Sequence, residues 1–338
     1  MNALYPLKFQ TIFKEKLWGG DRLNSVLGMD FSPLPNCGEA WVVSGVPGFQ
    51  SLVSNGFLEG NELNELVEVY MGDLVGERIY ETYGDEFPVL IKFIDAREWL
   101  SIQVHPDDSL AHKRGLKGGK TEMWYIIDAD EKSELICGFK HKTDKETYLG
   151  QLKSGKLPEL MRYEPVAAGD VFYMPAGSVH ALGPGILLAE IQQTSDITYR
   201  IYDWERKDAD GNPRELHTEA AMDAINFEAS RDGRISYSKI NNNSNPIVST
   251  PYFVTTWLNI NQTTIKDYSF LDSFVILICI HGQSIVEFDS DKIEFRPGEA
   301  ILIPACIDEI RIFPDKECTF LEVFMDENLL PDNLVSNN

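Results

Sequence analysis

The chain has 338 residues, of which 43% are hydrophobic and 25% are charged, as in an ordinary soluble globular protein. This length predicts two domains. The formal net charge of −23 argues against nucleic acid and anionic membranes as partners, because phosphate backbones are bound by clusters of lysine and arginine. For the same reason, an anionic substrate would need a local concentration of positive charge.

Targeting signals and disulfides are not expected. The best apolar run covers residues 274–280, the length of a strand, and no run is long enough to predict a membrane-spanning helix. The N-terminus lacks the charged and then apolar pattern of a signal peptide. The five cysteines are widely spaced, without a Cys-x-x-Cys pair, so we expect a protein of the reducing cytoplasm.

Strand patterns dominate the chain, and a few helical patterns lie between them. Short segments rich in β-branched and aromatic residues predict strands, and apolar residues at helical spacing or possible caps predict helices. We expect strands at 39–44, 87–94, 100–105, 122–127 and 170–174. Helices are expected at 62–70, 143–153, 157–163 and 218–227, with Thr143 and Thr218 as N-caps.

An asparagine-rich run within residues 236–251 predicts a linker. We therefore expect two domains, at 1–235 and 236–338, and the second returns to strand patterns over 273–324. Residues 169–176 and 298–305 share one pattern of Gly, an acidic residue, four apolar residues and Pro-Ala. This repeat predicts two related β modules, although chance similarity between two strand-and-turn segments would also explain it.

The first copy of the repeat continues as Pro175-Ala-Gly-Ser-Val-His180. This segment resembles the second half of the cupin metal motif, in which a tight turn sends the next strand back with its histidine pointing into a β-barrel. The second copy has Cys306 in place of the glycine and Glu309 in place of the histidine. We therefore expect two cupin-like jelly-roll modules in a mainly β fold, with a metal site in the first module only.

Candidate metal ligands lie before His180 in the chain. Gln103 and His105 are two apart in a strand pattern, which places both side chains on one face. Glu122 opens another predicted strand. Together with His180, these residues would form a mixed nitrogen and oxygen site that suits one Zn²⁺ with an open coordination position. Other divalent metals could substitute.

A row of polar residues follows His180. Residues taken alternately from Glu190 to Arg200, including Asp196, would share one face of a strand. Such a row is common at a solvent-facing strand edge. Because it follows His180 closely, we expect it to line the site, since charge inside a barrel is costly without a function.

These motifs together resemble the type I mannose-6-phosphate isomerases. The resemblance rests on Gln103-Val-His105-Pro, Lys120-Thr-Glu122, the Pro175 to His180 segment, and Glu190, Asp196 and Arg200 in the same order. Trp18-Gly-Gly and Gly38-Glu-Ala-Trp41 also resemble the short bacterial branch. The resemblance implies a zinc site at Gln103, His105, Glu122 and His180, with Arg200 in the active site and Lys120 in contact with the substrate.

The reaction that the resemblance implies is an aldose–ketose isomerisation between mannose 6-phosphate and fructose 6-phosphate through an enediolate, so the expected partner is a small sugar phosphate. Zn²⁺ and Arg200 would share the negative charge that develops on oxygen. Glu190, Asp196 or a water on the metal would carry the proton. Lys92, Lys120 and Arg206 are the candidates for contact with the phosphate; a solvent-facing position on its strand is the alternative for Lys92. No oligomeric state is predicted.

Three alternative functions are open, and the first two predict different chemistry. An iron-dependent cupin dioxygenase would favour more histidine ligands and would depend on oxygen. A sugar-binding or storage cupin would bind without turnover, and such proteins often lack metal ligands in both modules. An isomerase of another sugar phosphate would share every residue named above.

Overall fold

The computed structural model describes residues 4–207, 210–228, 233–289 and 291–331. These residues form 22 strands and seven α-helices. Strands β1 to β11 span Leu7–Lys8, Ile12–Lys14, Glu39–Val43, Val89–Ala96, Ile102–Val104, Glu122–Ala129, Glu134–Phe139, Met161–Pro165, Val171–Met174, His180–Leu182 and Ile186–Gln193. Strands β12 to β22 span Tyr199–Tyr202, Arg234–Ile235, Ser244–Ser249, Val254–Ile260, Thr264–Asp267, Val275–His281, Ser284–Phe288, Asp291–Phe295, Ala300–Ile303, Glu309–Pro314 and Cys318–Phe324.

Helices α1 to α7 span Arg22–Ser25, Leu63–Tyr70, Gly72–Val75, Glu77–Tyr83, Asp108–Lys113, Lys145–Lys153 and Thr218–Ala224. Short 3-10 helices cover Gly56–Leu58 and Leu157–Leu160. The described helices include none that is both long enough and apolar enough to cross a membrane.

The strands form four antiparallel sheets, which confirms the mainly β class. The first module pairs a seven-stranded sheet, in the order β13-β9-β6-β11-β4-β3-β2, with a five-stranded sheet, β12-β5-β10-β7-β8. The second module pairs a six-stranded sheet, β1-β20-β17-β22-β15-β14, with a four-stranded sheet, β16-β21-β18-β19. Hydrogen bonding leaves every sheet open at its edges, so each module is a pair of facing sheets.

The seven-stranded sheet is buried on both faces, and this explains the long apolar runs in its strands. In β4, Val89, Ile91 and Phe93 belong to the largest core, which the sheet shares with the six-stranded sheet. Ile94 packs in a second core, between the seven-stranded and five-stranded sheets. Lys92 alternates with the first set and is only 5% exposed, so it does not face solvent.

The predicted domain boundary falls between β13 and β14, where the chain leaves the seven-stranded sheet for the six-stranded sheet. Two contacts connect the parts of the chain on either side of that boundary. Strand β1, near the start of the chain, pairs with β20, and the largest core includes residues from both modules. The division into 1–235 and 236–338 stays a prediction. Within the expected linker, Ser244–Ser249 forms strand β14.

The expected helix starts are wrong in detail. Asp144, not Thr143, caps α6, because its carboxylate accepts the backbone N–H of Thr147. Thr218 lies inside α7, whose N-cap is His217. The expected helix at 157–163 is a single 3-10 turn followed by β8, which pairs with β7.

Candidate active site and metal centre

Three buried side chains converge between the facing sheets of the first module. His105 follows β5, Glu122 opens β6 and His180 opens β10. One ligand atom from each lies within 4.8 Å of the other two. Glu122 Oε2 is 3.5 Å from His105 Nε2, and Glu122 Oε1 is 3.3 Å from His180 Nε2.

Backbone carbonyls orient both imidazoles. His105 Nδ1 lies 2.7 Å from the carbonyl oxygen of Ile197, and His180 Nδ1 lies 2.9 Å from that of Ser178. In the neutral ring, Nδ1–H donates to the carbonyl and the lone pair of Nε2 faces the cluster. Burial, followed by the charge of Lys120, lowers the pKa of His180 to about 4 and that of His105 well below its usual range. Both rings are therefore neutral, as a metal requires.

The cluster fits a divalent cation. Metal–ligand bonds of about 2.0–2.1 Å in a tetrahedral site imply ligand separations of about 3.3 Å, close to the two distances found. Among the described residues, no hydrogen-bond donor reaches the buried Oε1 of Glu122. The side-chain amide of Gln103 lies 3.2 Å from His180 Nε2, and the opposite amide orientation would present its carbonyl oxygen there. A divalent cation would supply the partner that Glu122 Oε1 lacks.

In this structure, the positive charge beside the cluster belongs to Lys120. Its Nζ lies 2.6 Å from Glu122 Oε2, as a buried ion pair, and 3.2 Å from His105 Nε2. Burial would lower the pKa of Lys120, but the carboxylates of Glu122 and Glu190 raise it, so the ammonium stays charged. Lys120 therefore reaches the place where a substrate oxygen would approach the metal.

Glu190 is fixed beside the cluster by two donors. Its Oε2 lies 3.2 Å from Lys92 Nζ, directly across from it on β4, and its Oε1 accepts the indole N–H of Trp124 at 2.9 Å. Burial would raise the pKa of Glu190, but the charges of Lys120 and Lys92 lower it. Glu190 is therefore an ionised carboxylate with its oxygens occupied, and Lys92 is engaged by it.

Strand register brings Arg200 to the same place. Gln103 on β5 lies opposite Arg200 on one side and opposite His180 on the other. The expected alternation along one strand from Glu190 to Arg200 is wrong, because β11 ends at Gln193 and a turn precedes β12. Asp196 lies in that turn and is exposed.

Most of these side chains line a cavity of about 250 Å³, whereas His105 and Glu122 are not part of its lining. The predicted site residues that line it are Lys92, Gln103, Lys120, His180, Glu190, Asp196 and Arg200. Arg206 is not among them; its guanidinium donates to the backbone carbonyl of Trp99. Sequence reasoning missed Lys14, Lys16, Glu39, Ser101 and Arg214, which also line the cavity. Only Glu39 carried a signal, as part of the Gly38-Glu-Ala-Trp41 motif.

A larger cavity, of about 770 Å³, lies among α2, α4 and the segment before Lys120. Its wall carries five carboxylates, those of Glu65, Glu68, Asp85, Glu86 and Asp108. The single lysine in that wall, Lys117, is paired with Glu86 at 2.7 Å. This cavity would repel an anionic ligand, so the smaller cavity beside the histidines is the candidate active site.

Comparisons with known proteins identify the family of this chain. Residues 6–151 match the family model described as phosphomannose isomerase type I, catalytic domain, and residues 244–319 match mannose-6-phosphate isomerase, cupin domain. The mannose-6-phosphate isomerase of Streptococcus mutans is 34% identical, over 89% of this chain and 93% of its own length. Mannose-6-phosphate isomerase ManA of Bacillus subtilis is 36% identical, over 93% and 97%.

The solved structures give the same result. The crystal structure of the mannose 6-phosphate isomerase from Bacillus subtilis superimposes with a TM-score of 0.83 at 33% identity, covering 94% of this chain and 99% of that chain. Identity above 30% over almost the whole length, in sequence and in fold, shows common membership. The chain therefore belongs to the type I phosphomannose isomerase family.

Proposed function

We propose that this protein is a zinc-dependent isomerase that interconverts mannose 6-phosphate and fructose 6-phosphate. The observation that carries the proposal is the buried His105–Glu122–His180 cluster, whose His180 lines a cavity rich in cationic side chains. The names of the relatives supply the substrate pair.

The charge of the cavity suits a sugar phosphate. The whole chain has a formal net charge of −23, yet the cavity is lined by four lysines and two arginines: Lys14, Lys16, Lys92, Lys120, Arg200 and Arg214. Three carboxylates accompany them, those of Glu39, Glu190 and Asp196. This local excess of positive charge attracts a dianion from solution.

The proposed zinc ligands are His105, Glu122, His180 and Gln103, a nitrogen and oxygen set that suits Zn²⁺. When bound, the metal would act as a Lewis acid on the substrate oxygens at C1 and C2. The residues of the chain have separate tasks. Lys120 and Arg200 place positive charge beside those oxygens, where the enediolate would carry negative charge.

The reaction moves one proton from C2 to C1 and one from the oxygen on C2 to the oxygen on C1, with no net change in charge. A carboxylate can carry the carbon-bound proton. Glu190 is poorly suited to this task, because Lys92 and Trp124 occupy its oxygens and its pKa is lowered. Asp196 lines the cavity, and no described residue forms a hydrogen bond or ion pair with its carboxylate. We assign the proton transfer to Asp196 and an electrostatic role to Glu190.

A reducing compartment such as the cytoplasm fits the thiols. No disulfide joins the five cysteines, all of which lie in the described part of the chain, and four of them are buried.

The test is to remove the metal with a chelator and to assay mannose 6-phosphate turnover before and after Zn²⁺ is added back. We expect turnover to be lost on removal and restored by zinc. The Asp196→Asn variant should keep its metal content and lose about 100-fold or more in kcat. Undiminished turnover in protein shown to be free of metal would overturn the mechanism. Metal binding without turnover would favour a sugar-binding protein or another sugar phosphate.

A further inference from the structure

Three arginine side chains gather at one end of the cavity. Arg200 lies on β12, and Arg206 and Arg214 follow in the segment between β12 and α7. They are close enough to repel one another: after burial, the charge of Arg214 is the main influence that lowers the pKa of Arg200, and Arg206 adds to it. Such a cluster of like charges needs anions to balance it.

The described carboxylates neutralise only part of the positive charge of this arginine cluster. Among the described residues, Asp203 is the one carboxylate within ion-pair distance of these guanidinium groups. It accepts Arg214 Nε at 2.7 Å and Nη2 at 2.5 Å. Arg200 Nη1 donates instead to the backbone oxygen of Glu215 at 2.8 Å. Glu215 and Glu98 act on Arg200 and Arg206 only from beyond ion-pair distance, so Arg214 is the one arginine of the three paired directly with a described carboxylate.

Unused donors lie at the same end. Arg200 Nε and Arg206 Nη1 are buried and have no hydrogen-bond partner among the described residues. Buried donors without partners are rare, because each forfeits its hydrogen bonds to water. Asp203 engages one edge of the Arg214 guanidinium and leaves Nη1 without a bond to any described residue.

The lysines of the cavity are less suited to binding a phosphate than the arginines are. Lys16 is paired with Glu39 at 3.0 Å, Lys92 with Glu190 and Lys120 with Glu122. Lys14 has no carboxylate partner, but its Nζ lies 3.3 Å from the centre of the Trp41 ring, and burial lowers its pKa to about 8. An arginine keeps its charge and presents two parallel donors to a phosphate.

We propose that Arg214 anchors the phosphate of the sugar phosphate substrate, with Asp203 as the positioning residue that holds its guanidinium group. This inference rests on the proposed function and adds a residue that none of the sequence motifs contains. A phosphate between Arg214 and Arg200 would separate two like charges. The register of Arg200 with Gln103 then places C1 and C2 of the sugar toward the histidine cluster. Arg206 contributes positive charge from outside the cavity wall.

The probe is inorganic phosphate, measured as a competitive inhibitor and by calorimetry on the metal-loaded protein. In Arg214→Gln, we expect phosphate binding to weaken about 10- to 100-fold, the loss that accompanies a charge-assisted hydrogen bond. The KM for mannose 6-phosphate should rise by a similar factor, with a smaller change in kcat. Arg311→Gln removes a half-exposed arginine of the second module and should match the wild type.

Several results would overturn the inference. If the phosphate affinity of Arg214→Gln stays within about twofold of wild type, phosphate binds elsewhere, at the metal or at another site, and the inference fails. A large loss in Lys14→Gln with none in Arg214→Gln would move the anchor to the other end of the cavity.

Removing Arg214 alone leaves the buried Asp203 without its partner, so the double variant Asp203→Asn/Arg214→Gln guards against misfolding. It should show the same loss of phosphate binding. Absence of isomerase turnover in the wild type would refute the proposed function, whereas the phosphate titration would still decide whether Arg214 binds the anion.

Discussion

Each histidine of the site owes its orientation to a backbone carbonyl. The carbonyl that holds His180 belongs to Ser178, two residues away, whereas that of Ile197 reaches His105 from 92 positions along the chain. Residue periodicity predicts that Gln103 and His105 share a face, but it carries no information on a partner so distant. Sequence reasoning could therefore find the ligand candidates and not the contacts that fix their tautomers.

Lys92 is a second residue whose partner could not be predicted from the sequence. As a lysine within an apolar strand, it was a candidate for phosphate contact. In the fold, it lies across the strand pair from Glu190, and the two form a buried ion pair. Which residue stands opposite Lys92 depends on the register of β4 against β11, two strands almost 100 positions apart in the chain. A buried pair of this kind stabilises a single arrangement only when both partners are present.

Asp95 provides a test of electrostatics outside the site. It is 1% exposed, and its Oδ2 accepts the backbone N–H of Arg22 at 2.6 Å. Burial, opposed by that bond and by the charge of Arg22, raises the pKa of Asp95 to about 6. The folded protein therefore holds a proton on Asp95 more tightly than the unfolded chain does. Its contribution to stability is full at low pH and falls by roughly 3 kcal/mol as the pH rises from about 4 to above 6.

In Asp95→Asn, this dependence should vanish, because the amide oxygen can still accept the Arg22 N–H and carries no charge. The stability of the variant relative to wild type should increase by up to about 3 kcal/mol between pH 4 and pH 7. Urea unfolding of both proteins at several pH values measures it. A difference that stays flat over that interval would contradict the raised pKa.

At the scale of elements, the turn between β9 and β10 places His180. Gly177 in this turn has a φ of +87°, and its backbone N–H donates to the carbonyl of His105 at 2.9 Å. A Cβ there would lie 3.1 Å from the carbonyl oxygen of Ala224. The Pro-x-Gly-x-x-His spacing predicted this turn correctly because its requirements are local. The single strand expected from Glu190 to Arg200 was wrong because nothing local marks the end of β11, although Glu190, Asp196 and Arg200 do line the cavity.

Gly177→Ala should therefore weaken metal binding as well as the fold. We expect a loss of about 1–3 kcal/mol in unfolding free energy, from the left-handed backbone and the crowding at Ala224, together with a higher Kd for zinc. Gly155→Ala is the matched control: Gly155 has a φ of +71° with nothing within 4 Å of an added Cβ. This variant should lose stability only through the strain of its left-handed backbone, and it should keep the wild-type zinc affinity. Equal zinc affinity in both variants would show that the turn does not position His180.

At the scale of the whole molecule, the two modules share one strand order. Strands β9, β6, β11 and β4 are neighbours in the seven-stranded sheet, as β20, β17, β22 and β15 are in the six-stranded sheet. The repeated sequence segments correspond to β9 and β20 and to the turns after them. Where the first module has His180, buried in the cluster, the second has Glu309, which is exposed at the start of β21. The strand order supports the predicted repeat, which short motif similarity alone could not establish.

The second module also holds a buried glutamate on the strand that corresponds to β11. Glu322 on β22 is 3% exposed, and its carboxylate pairs with Lys266 at 2.8 Å. Thr256 Oγ1 donates to it at 2.7 Å and Tyr268 OH at 3.1 Å, and Ser244 is a fourth donor. Both oxygens of Glu322 are satisfied within the protein, whereas Glu122 Oε1 has no hydrogen-bond donor among the described residues. We infer that this cluster stabilises the second module and takes no part in the reaction.

Glu322→Ala should then lower the unfolding free energy by about 3–5 kcal/mol, because Lys266 would be left partly buried without its partner. The double variant Lys266→Met/Glu322→Leu should recover most of that loss, since apolar side chains can replace a buried pair at little cost. Glu309→Ala, which breaks a surface contact with Arg311, should cost less than about 1 kcal/mol. Below the unfolding temperature, all three variants should keep the wild-type KM for mannose 6-phosphate. A variant that is fully folded but has lost turnover would instead connect the second module to the active site through the core that the two modules share.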